Sequence, residues 1–298
     1  MEHPEIVITD THLKGKFSCL AMQPITLRRP RTRQLAAAGY TCADMQVHSL
    51  HSDGLHKVAT ILKKCRRRKF GVALTDHHCI DGVLEAWKLK EDVLVIPGIE
   101  LSSREGPDIL VYFYALDDLQ DFFLQHVQPY VRERVGRMER PLLSLITDAR
   151  KYRCVIAAPH PYGYAWKNIA RFLRRNYHRD ILRQIDAIEV ISGEVTRKKN
   201  LQAIEWRQRL GKGMTAGSDG HVLSEIGRAV TCCHADTVEG FLDAVKGRKN
   251  MVIGKEARIG PHMLANGNIL RCKVRQGRRR IWERIMNGGA RKVIEVGE

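Results

Sequence analysis

Short apolar runs alternate with amphipathic stretches along most of this chain. Met45 and Val47 alternate with Asp44, Gln46 and His48, the two-residue period of a half-buried strand. Apolar runs at 71–75, 93–99, 109–114, 155–158, 187–191 and 214–217 predict further buried strands, with 228–233 as the last and Ile6–Ile8 as a short first one. Between them, Val58, Ile61, Leu62 and Cys65 recur at helical spacing within 56–68, and 82–89, 200–210 and 237–246 also read as helices. Residues 117–151 carry Phe122, Phe123, Val127, Val131, Val135, Met138 and Leu142 at helical spacing, interrupted at Pro129 and Pro141. That stretch reads as a helical hairpin over the sheet. Strands alternating with helices predict an α/β fold.

The polar residues at the strand ends carry the candidate chemistry. The 44–48 strand leads through Ser49 and His51 to Ser52-Asp53-Gly54. The 71–75 run ends in Asp76-His77-His78, and the 93–99 run in Glu100. The 155–158 run ends in Pro159-His160-Pro161, and the 214–217 run in Ser218-Asp219-Gly220-His221. In barrels of parallel strands the carboxyl ends are where chemistry sits. Carboxylates gathered away from water need a positive partner. A metal ion is the usual one, and imidazole with carboxylate suits zinc, manganese or iron. His51 and His78 read as neighbours of ligands, and Asp44 and Asp76 as groups that orient them.

The ordered set D-M-Q-V-H, S-D-G, T-D-H, G-I-E, P-H-P and G-S-D-G-H, spread over residues 44–235, resembles the PHP (polymerase and histidinol phosphatase) family of metal-dependent phosphoesterases. The resemblance implies a distorted (β/α)7 barrel, with about seven parallel strands. It also implies two to three divalent ions: manganese, zinc or iron. Carried over by motif, His48, Glu100 and Asp219 hold the first ion. Glu100 bridges to a second, which His160 also holds, and Asp53, His77 and His221 hold the third. Glu100, His160 and Asp219 are thereby the catalytic set. A shared carboxylate lets two cations sit about 3.5–4 Å apart, close enough to clamp one phosphate and activate a water. Two positions depart from the family pattern. Gln46 stands where a histidine is usual and offers a neutral oxygen as ligand. Asp108 stands before the 109–114 strand where related phosphatases often have histidine; its carboxylate is a harder ligand than imidazole and leans towards manganese or magnesium. Arg104, just beyond Glu100, is a candidate to bind a substrate phosphate.

Charge narrows the substrate. The chain has 298 residues, 50 Lys and Arg against 33 Asp and Glu, and a net charge of +17. Basic residues cluster at Arg28–Arg33, Lys63–Lys69, Arg171–Arg183 and Arg271–Arg280, which favours a nucleotide or nucleic-acid substrate. The 63–69 run falls on a helix behind the barrel, with its charges facing away from the strand ends. The arm at 28–33 is a candidate for phosphate contact, whereas His12, with no strand leading into it, reads as a surface residue. No apolar run suits a membrane span, and no secretory leader pattern opens the chain, so a cytoplasmic protein is expected. Eight cysteines without a C-x-x-C pair read as buried reduced thiols.

The expected organisation is a basic extension over 1–43 packing on the barrel, a barrel domain over 44–262 and a basic tail over 263–298, with a short helix at 281–286. The function that the resemblance implies is a metal-dependent phosphoesterase, a phosphatase or a 5′–3′ exonuclease. It would hydrolyse a nucleotide or nucleic-acid phosphate ester by a metal-activated water. One alternative is a degenerate barrel that binds nucleic acid or a partner without turnover. Another is a small-molecule phosphatase such as histidinol phosphatase.

Overall fold

The computed structural model describes residues 24–133, 135–163, 167–175 and 179–256, together with the backbone of Val7–Ile8. His12 and the tail with its expected helix lie outside the described residues. The strands are β1 (Val7–Ile8), β2 (Ile25–Thr26), β3 (Thr41–Val47), β4 (Gly71–Leu74), β5 (Val95–Ser102), β6 (Asp108–Phe113), β7 (Cys154–Ala158), β8 (Ala187–Ser192), β9 (Gly213–Gly217), β10 (Ala229–Cys233) and β11 (Met251–Gly254). The helices are α1 (Thr32–Ala37), α2 (Val58–Arg68), α3 (Asp81–Leu89), α4 (Leu116–Phe122), α5 (Leu142–Ala149), α6 (Ile169–Arg175), α7 (Arg179–Gln184), α8 (Arg197–Leu210) and α9 (Val238–Lys246). As the prolines dictate, the 117–151 stretch is broken: Pro129 sits in a 3-10 turn over Gln128–Tyr130, and Pro141 precedes the first turn of α5.

One sheet joins all the strands in the order β1-β2-β11-β10-β3-β4-β5-β6-β7-β8-β9. The seven strands from β3 to β9 follow chain order and curl until their ends meet. Closure runs through a parallel bridge between Val47 and Gly220, with His48 N–H donating to Gly220 O at 3.1 Å. Gly217 makes the approach physical: a Cβ there would lie 2.7 Å from the Gln46 backbone nitrogen, so only glycine fits.

The all-parallel expectation fails at β6, which is antiparallel to β5 and to β7. The reason is length. Residues 103–107 are too few for a crossover, so the chain must turn back as a hairpin. Nor is β10 the last strand, since β11 pairs antiparallel to it and then accepts β2. The N-terminal arm thus enters the sheet. Cys42 and Cys232 lie directly opposite each other on β3 and β10 and are joined as a disulfide, which overturns the reduced-thiol reading for that pair. Cys65, Cys79, Cys154 and Cys233 are buried thiols outside that disulfide.

The core has two layers. An inner cluster fills the barrel with Met45, Ile96, Leu110, Tyr112, Val155 and Phe241, the last from α9. An outer cluster packs the other strand faces against the helices, with Ile61, Leu62 and Cys65 of α2 in it as the periodicity predicts. Ala43 and Met45 belong to the inner cluster, but Val47 belongs to the outer one, and the β3 register shifts between Asp44 and Val47. This irregularity corrects the simple alternation read from sequence. It lets Gln46 and His48 face the site although Met45 also faces inward.

Asp44 ties the closure. Its carboxylate accepts from Ser218 N at 2.7 Å, Ser218 Oγ at 2.6 Å and Gly227 N at 2.6 Å. Burial lifts its pKa to about 6 against these donors. Replacing it with alanine strands buried N–H groups at roughly 1–3 kcal/mol each. Urea denaturation of Asp44→Ala is therefore expected to show a loss of about 3 kcal/mol. A loss under about 1 kcal/mol would show that closure does not depend on this carboxylate.

Candidate metal centre

The strand ends bring the predicted side chains to one buried place. His48 Nε2 lies 3.0 Å from Asp219 Oδ1 and 3.2 Å from Glu100 Oε2, and His48 Nδ1 lies 3.5 Å from Asp53. Asp53 Oδ2 is 3.3 Å from His221 Nε2 and 3.7 Å from His77 Nε2. On the other side, His160 Nε2 is 3.5 Å from Glu100 Oε1, 3.9 Å from Asp108 Oδ2 and 4.0 Å from Asp219 Oδ2. The imidazoles of His48 and His221 stack with centroids 4.4 Å apart, and His48 and His77 stack at 4.7 Å.

Local backbone places these side chains. Glu100 follows Ile96 and Gly98 on the inner parity of β5, and Asp108 opens β6 opposite Ser102. His160 and Asp219 take positive φ, 27° and 51°, where the chain turns sharply out of a strand. Non-glycine residues held there are strained, and such strain concentrates at functional sites. Supporting contacts fix the turns. Asp76 accepts from Ser49 N, Ser49 Oγ and Ser52 Oγ, holding the loop that carries Asp53. Glu189 accepts from His160 N at 2.7 Å.

The charges explain one another. Burial opposes a charged imidazole, but Glu100, Asp219 and Asp108 outweigh it and push His160 up to about 9. Burial likewise opposes His221, and Asp53 carries it up to about 9. His48 rises well above its ordinary value, because Asp219, Glu100 and Asp53 overcome burial. For His77 burial wins and its pKa falls. Glu100 and Asp53 stay well below the carboxylate range, since the surrounding imidazoles overcome burial. Protons on histidine thus occupy the positions where positive charge is demanded.

The same residues fit metal ions. Gln46 Oε1, His77 Nδ1, Glu100 Oε1, Asp108 Oδ1 and His160 Nδ1 are buried without a hydrogen-bond partner. Four trios of ligand atoms lie within 4.8 Å: His48, His77 and Glu100; His48, Asp53 and His221; Glu100, Asp108 and His160; Glu194, Asp219 and His221. Shared Glu100, His48 and His221 link the trios, and mixed imidazole and carboxylate donors suit zinc, manganese or iron.

The departures are also placed. Gln46 Nε2 donates to Glu100 Oε2 at 3.1 Å, so its amide engages that carboxylate as a donor. Asp108 Oδ2 lies 3.0 Å from Lys167 Nζ. Arg104 is 63% exposed in its side chain and lies 3.9 Å from Glu105. His78 is buried and accepts from Ser102 N, and His51 meets Glu85 at 2.8 Å.

Sequence reading missed three residues. Lys167 is the partly exposed cation at the edge of the site: desolvation opposes its charge, but Asp108, Glu100 and Asp219 raise its pKa. No strand leads into it, so nothing in the pattern marks it. Glu194 follows the carboxyl end of β8, as His48, His77, His160 and Asp219 follow their strands, and burial with Asp219 beside it pushes it up to about 8. Glu189 interrupts an apolar strand, a legible sign of a buried acid, and burial carries its pKa well above the usual range.

Comparisons with known proteins agree with this picture. Residues 197–250, from α8 through α9, match the model of the PHP-associated family. An uncharacterised protein of Methanocaldococcus jannaschii is 23% identical over 188 residues, 62% of this chain and 68% of its own length. Among solved structures, the lesion-specific endonuclease PfuEndoQ of Pyrococcus furiosus superposes with a TM-score of 0.59 at 18% identity, covering 74% of this chain and 60% of that one. PsfC of Pseudomonas syringae gives 0.55 at 16%, covering 79% and 99%. These likenesses show the fold. The matched PHP-associated segment lies in the same chain as the strand-end motifs, which resemble those of the PHP family.

The pKa directions give a test with a definite sign. His160 and His221 go from an ordinary 6.5 to about 9 in the fold, so their stabilisation is complete below pH 6.5 and is lost as pH rises through 9. Chelator-treated protein should therefore melt at progressively lower temperature across that window. Added manganese at neutral pH should release protons, read as a dependence of the calorimetric enthalpy on the buffer. A melting temperature that climbs with pH, with no proton release, contradicts the assignment.

Proposed function

We propose that this protein is a metal-dependent phosphoesterase acting on a nucleotide or nucleic-acid phosphate ester. One observation carries the reading: His48, Asp53, His77, Glu100, Asp108, His160, Asp219 and His221 converge from separate strand ends, with buried acceptors left unpaired. They would hold two to three divalent ions, with Glu194 joining Asp219 and His221. When bound, such ions supply Lewis-acid stabilisation of phosphoryl oxygens and an activated water. The protein's part is to hold the ligands in place, through Asp76, Glu189 and Asp44, and to present Lys167 to a phosphoryl oxygen. Lys167 joins Arg104, the exposed candidate for that role beside Glu105. No serine or cysteine nucleophile is required.

The nucleic-acid side of the reading is supported by the net charge of +17 and by the fold shared with an endonuclease solved with a 27-mer duplex carrying an abasic lesion. No helix among the described residues is long and apolar enough to cross a membrane. Gln46 donating to Glu100, and Asp108 engaged by Lys167, favour a second reading: a barrel that binds nucleic acid without turnover.

Phosphate-ester hydrolysis decides between them. With manganese, the protein is expected to hydrolyse bis(p-nitrophenyl) phosphate, and Asp219→Ala to lose about a hundredfold or more in rate. Equal rates for both proteins remove the catalytic reading. Lys167→Ala should raise KM about tenfold with metal content unchanged, and Lys167→Arg should restore part of it. An unchanged KM removes Lys167 from the substrate's path.

A further inference from the structure

Two basic runs that lie far apart in sequence meet in one groove of about 880 Å³ on the barrel flank, outside the metal centre. Arg29, Arg31 and Arg33 line it from the arm that leads into α1. Lys64, Arg67 and Arg68 line it from α2. Arg228 adds a further cation at the start of β10, and no acidic side chain lines the groove among the described residues.

The arrangement is fixed. Arg33 donates to Arg67 O through Nε at 3.0 Å and Nη2 at 2.8 Å, Thr32 Oγ1 donates to Arg68 O at 2.5 Å, and Lys64 Nζ donates to Leu223 O. Cations at the end of α2 suit the helix dipole, which accounts for that run alone. It does not account for Arg29, Arg31 and Arg228 brought opposite. Arg66 shows the contrast: it pairs with Glu91 at 2.9 Å and Asp92 at 3.1 Å and does not line the groove. Asp44, buried beneath the floor, is the one acid that acts on Lys64, so the cations facing the groove outnumber the acid near them and favour an anion there.

The groove's rim belongs to the same stretch of backbone as one side of the site. Leu223 and Ser224 form its rim, and Leu223 stands two residues after His221, roughly 7 Å of chain at most. Gly227 on the floor is tied through Asp44 to Ser218, the residue before Asp219. We propose that this groove binds the phosphodiester backbone of a nucleic-acid strand and feeds it to the metal centre. Cations line it and the single aromatic, Phe70, is buried, so contact is with phosphate and carries no base preference. This names a polynucleotide as the substrate class and rests on the phosphoesterase reading for what happens next.

Binding can be read without catalysis. Anisotropy of a fluorescein-labelled oligothymidylate, titrated in chelator over a range of salt, gives the slope of log affinity against log salt. The triple variant R31Q/R67Q/R68Q is expected to flatten that slope by about two, at roughly 0.7 per lost phosphate contact. Arg31→Gln alone, with no capping bond to lose, should flatten it by about 0.7 and stands in if the triple variant does not fold. Arg174→Gln/Arg175→Gln on α6 should keep the wild-type slope. No oligonucleotide binding, an unchanged slope in the groove variants, or equal competition by polyglutamate overturns the proposal. Binding that persists while diester hydrolysis fails removes the catalytic reading and leaves the groove standing. Hydrolysis that persists with an unchanged slope does the reverse.

Discussion

Buried carboxylates in need of positive charge are the constraint on which this structure depends. Asp53, Glu100, Asp108 and Asp219 are all removed from water, at the carboxyl ends or edges of different strands. Each is costly there unless paired. Imidazoles supply part of the charge by binding protons, Lys167 supplies another part, and the acceptors that remain unpaired are the measure of what is still lacking. Divalent ions complete such a set because one ion faces several ligands at once.

The fold serves that requirement. Curling β3 to β9 brings strand ends that are distant in sequence within a few ångströms, and the register shift in β3 turns Gln46 and His48 into the mouth. Asp44 then holds β3 to the segment that carries Asp219. That segment also forms the rim of the basic groove. Closure of the barrel, presentation of ligands and placement of the flanking cations therefore share one stretch of backbone, residues 218–228.

Much of this was legible in the sequence because the signals were local. An apolar strand ending in His77, Glu100, His160 or Asp219 states both the element and the side chain at its mouth. The helical spacing of α2 and the prolines at 129 and 141 were equally direct. What sequence did not convey depends on pairing or on loops. The reversal at β6 follows from a five-residue connection, 103–107, which length alone could have revealed. The register shift in β3 depends on which strands flank it, and so does the Cys42–Cys232 disulfide across β10. Lys167 comes from a loop without periodicity, so no pattern could mark it. The convergence of Arg31 with Arg68 joins segments related only through the folded sheet and α1.

The most direct test is the metal content of the full-length protein as purified, measured by elemental analysis beside Glu100→Gln. Glu100 lies within reach of His48, His77 and His160, so its loss removes the shared acid while leaving a side chain of the same shape. The account predicts more than one divalent ion per chain in the natural protein and a clear fall in the variant. A protein that holds no ion after manganese or zinc is supplied, or a variant that holds as many, contradicts it.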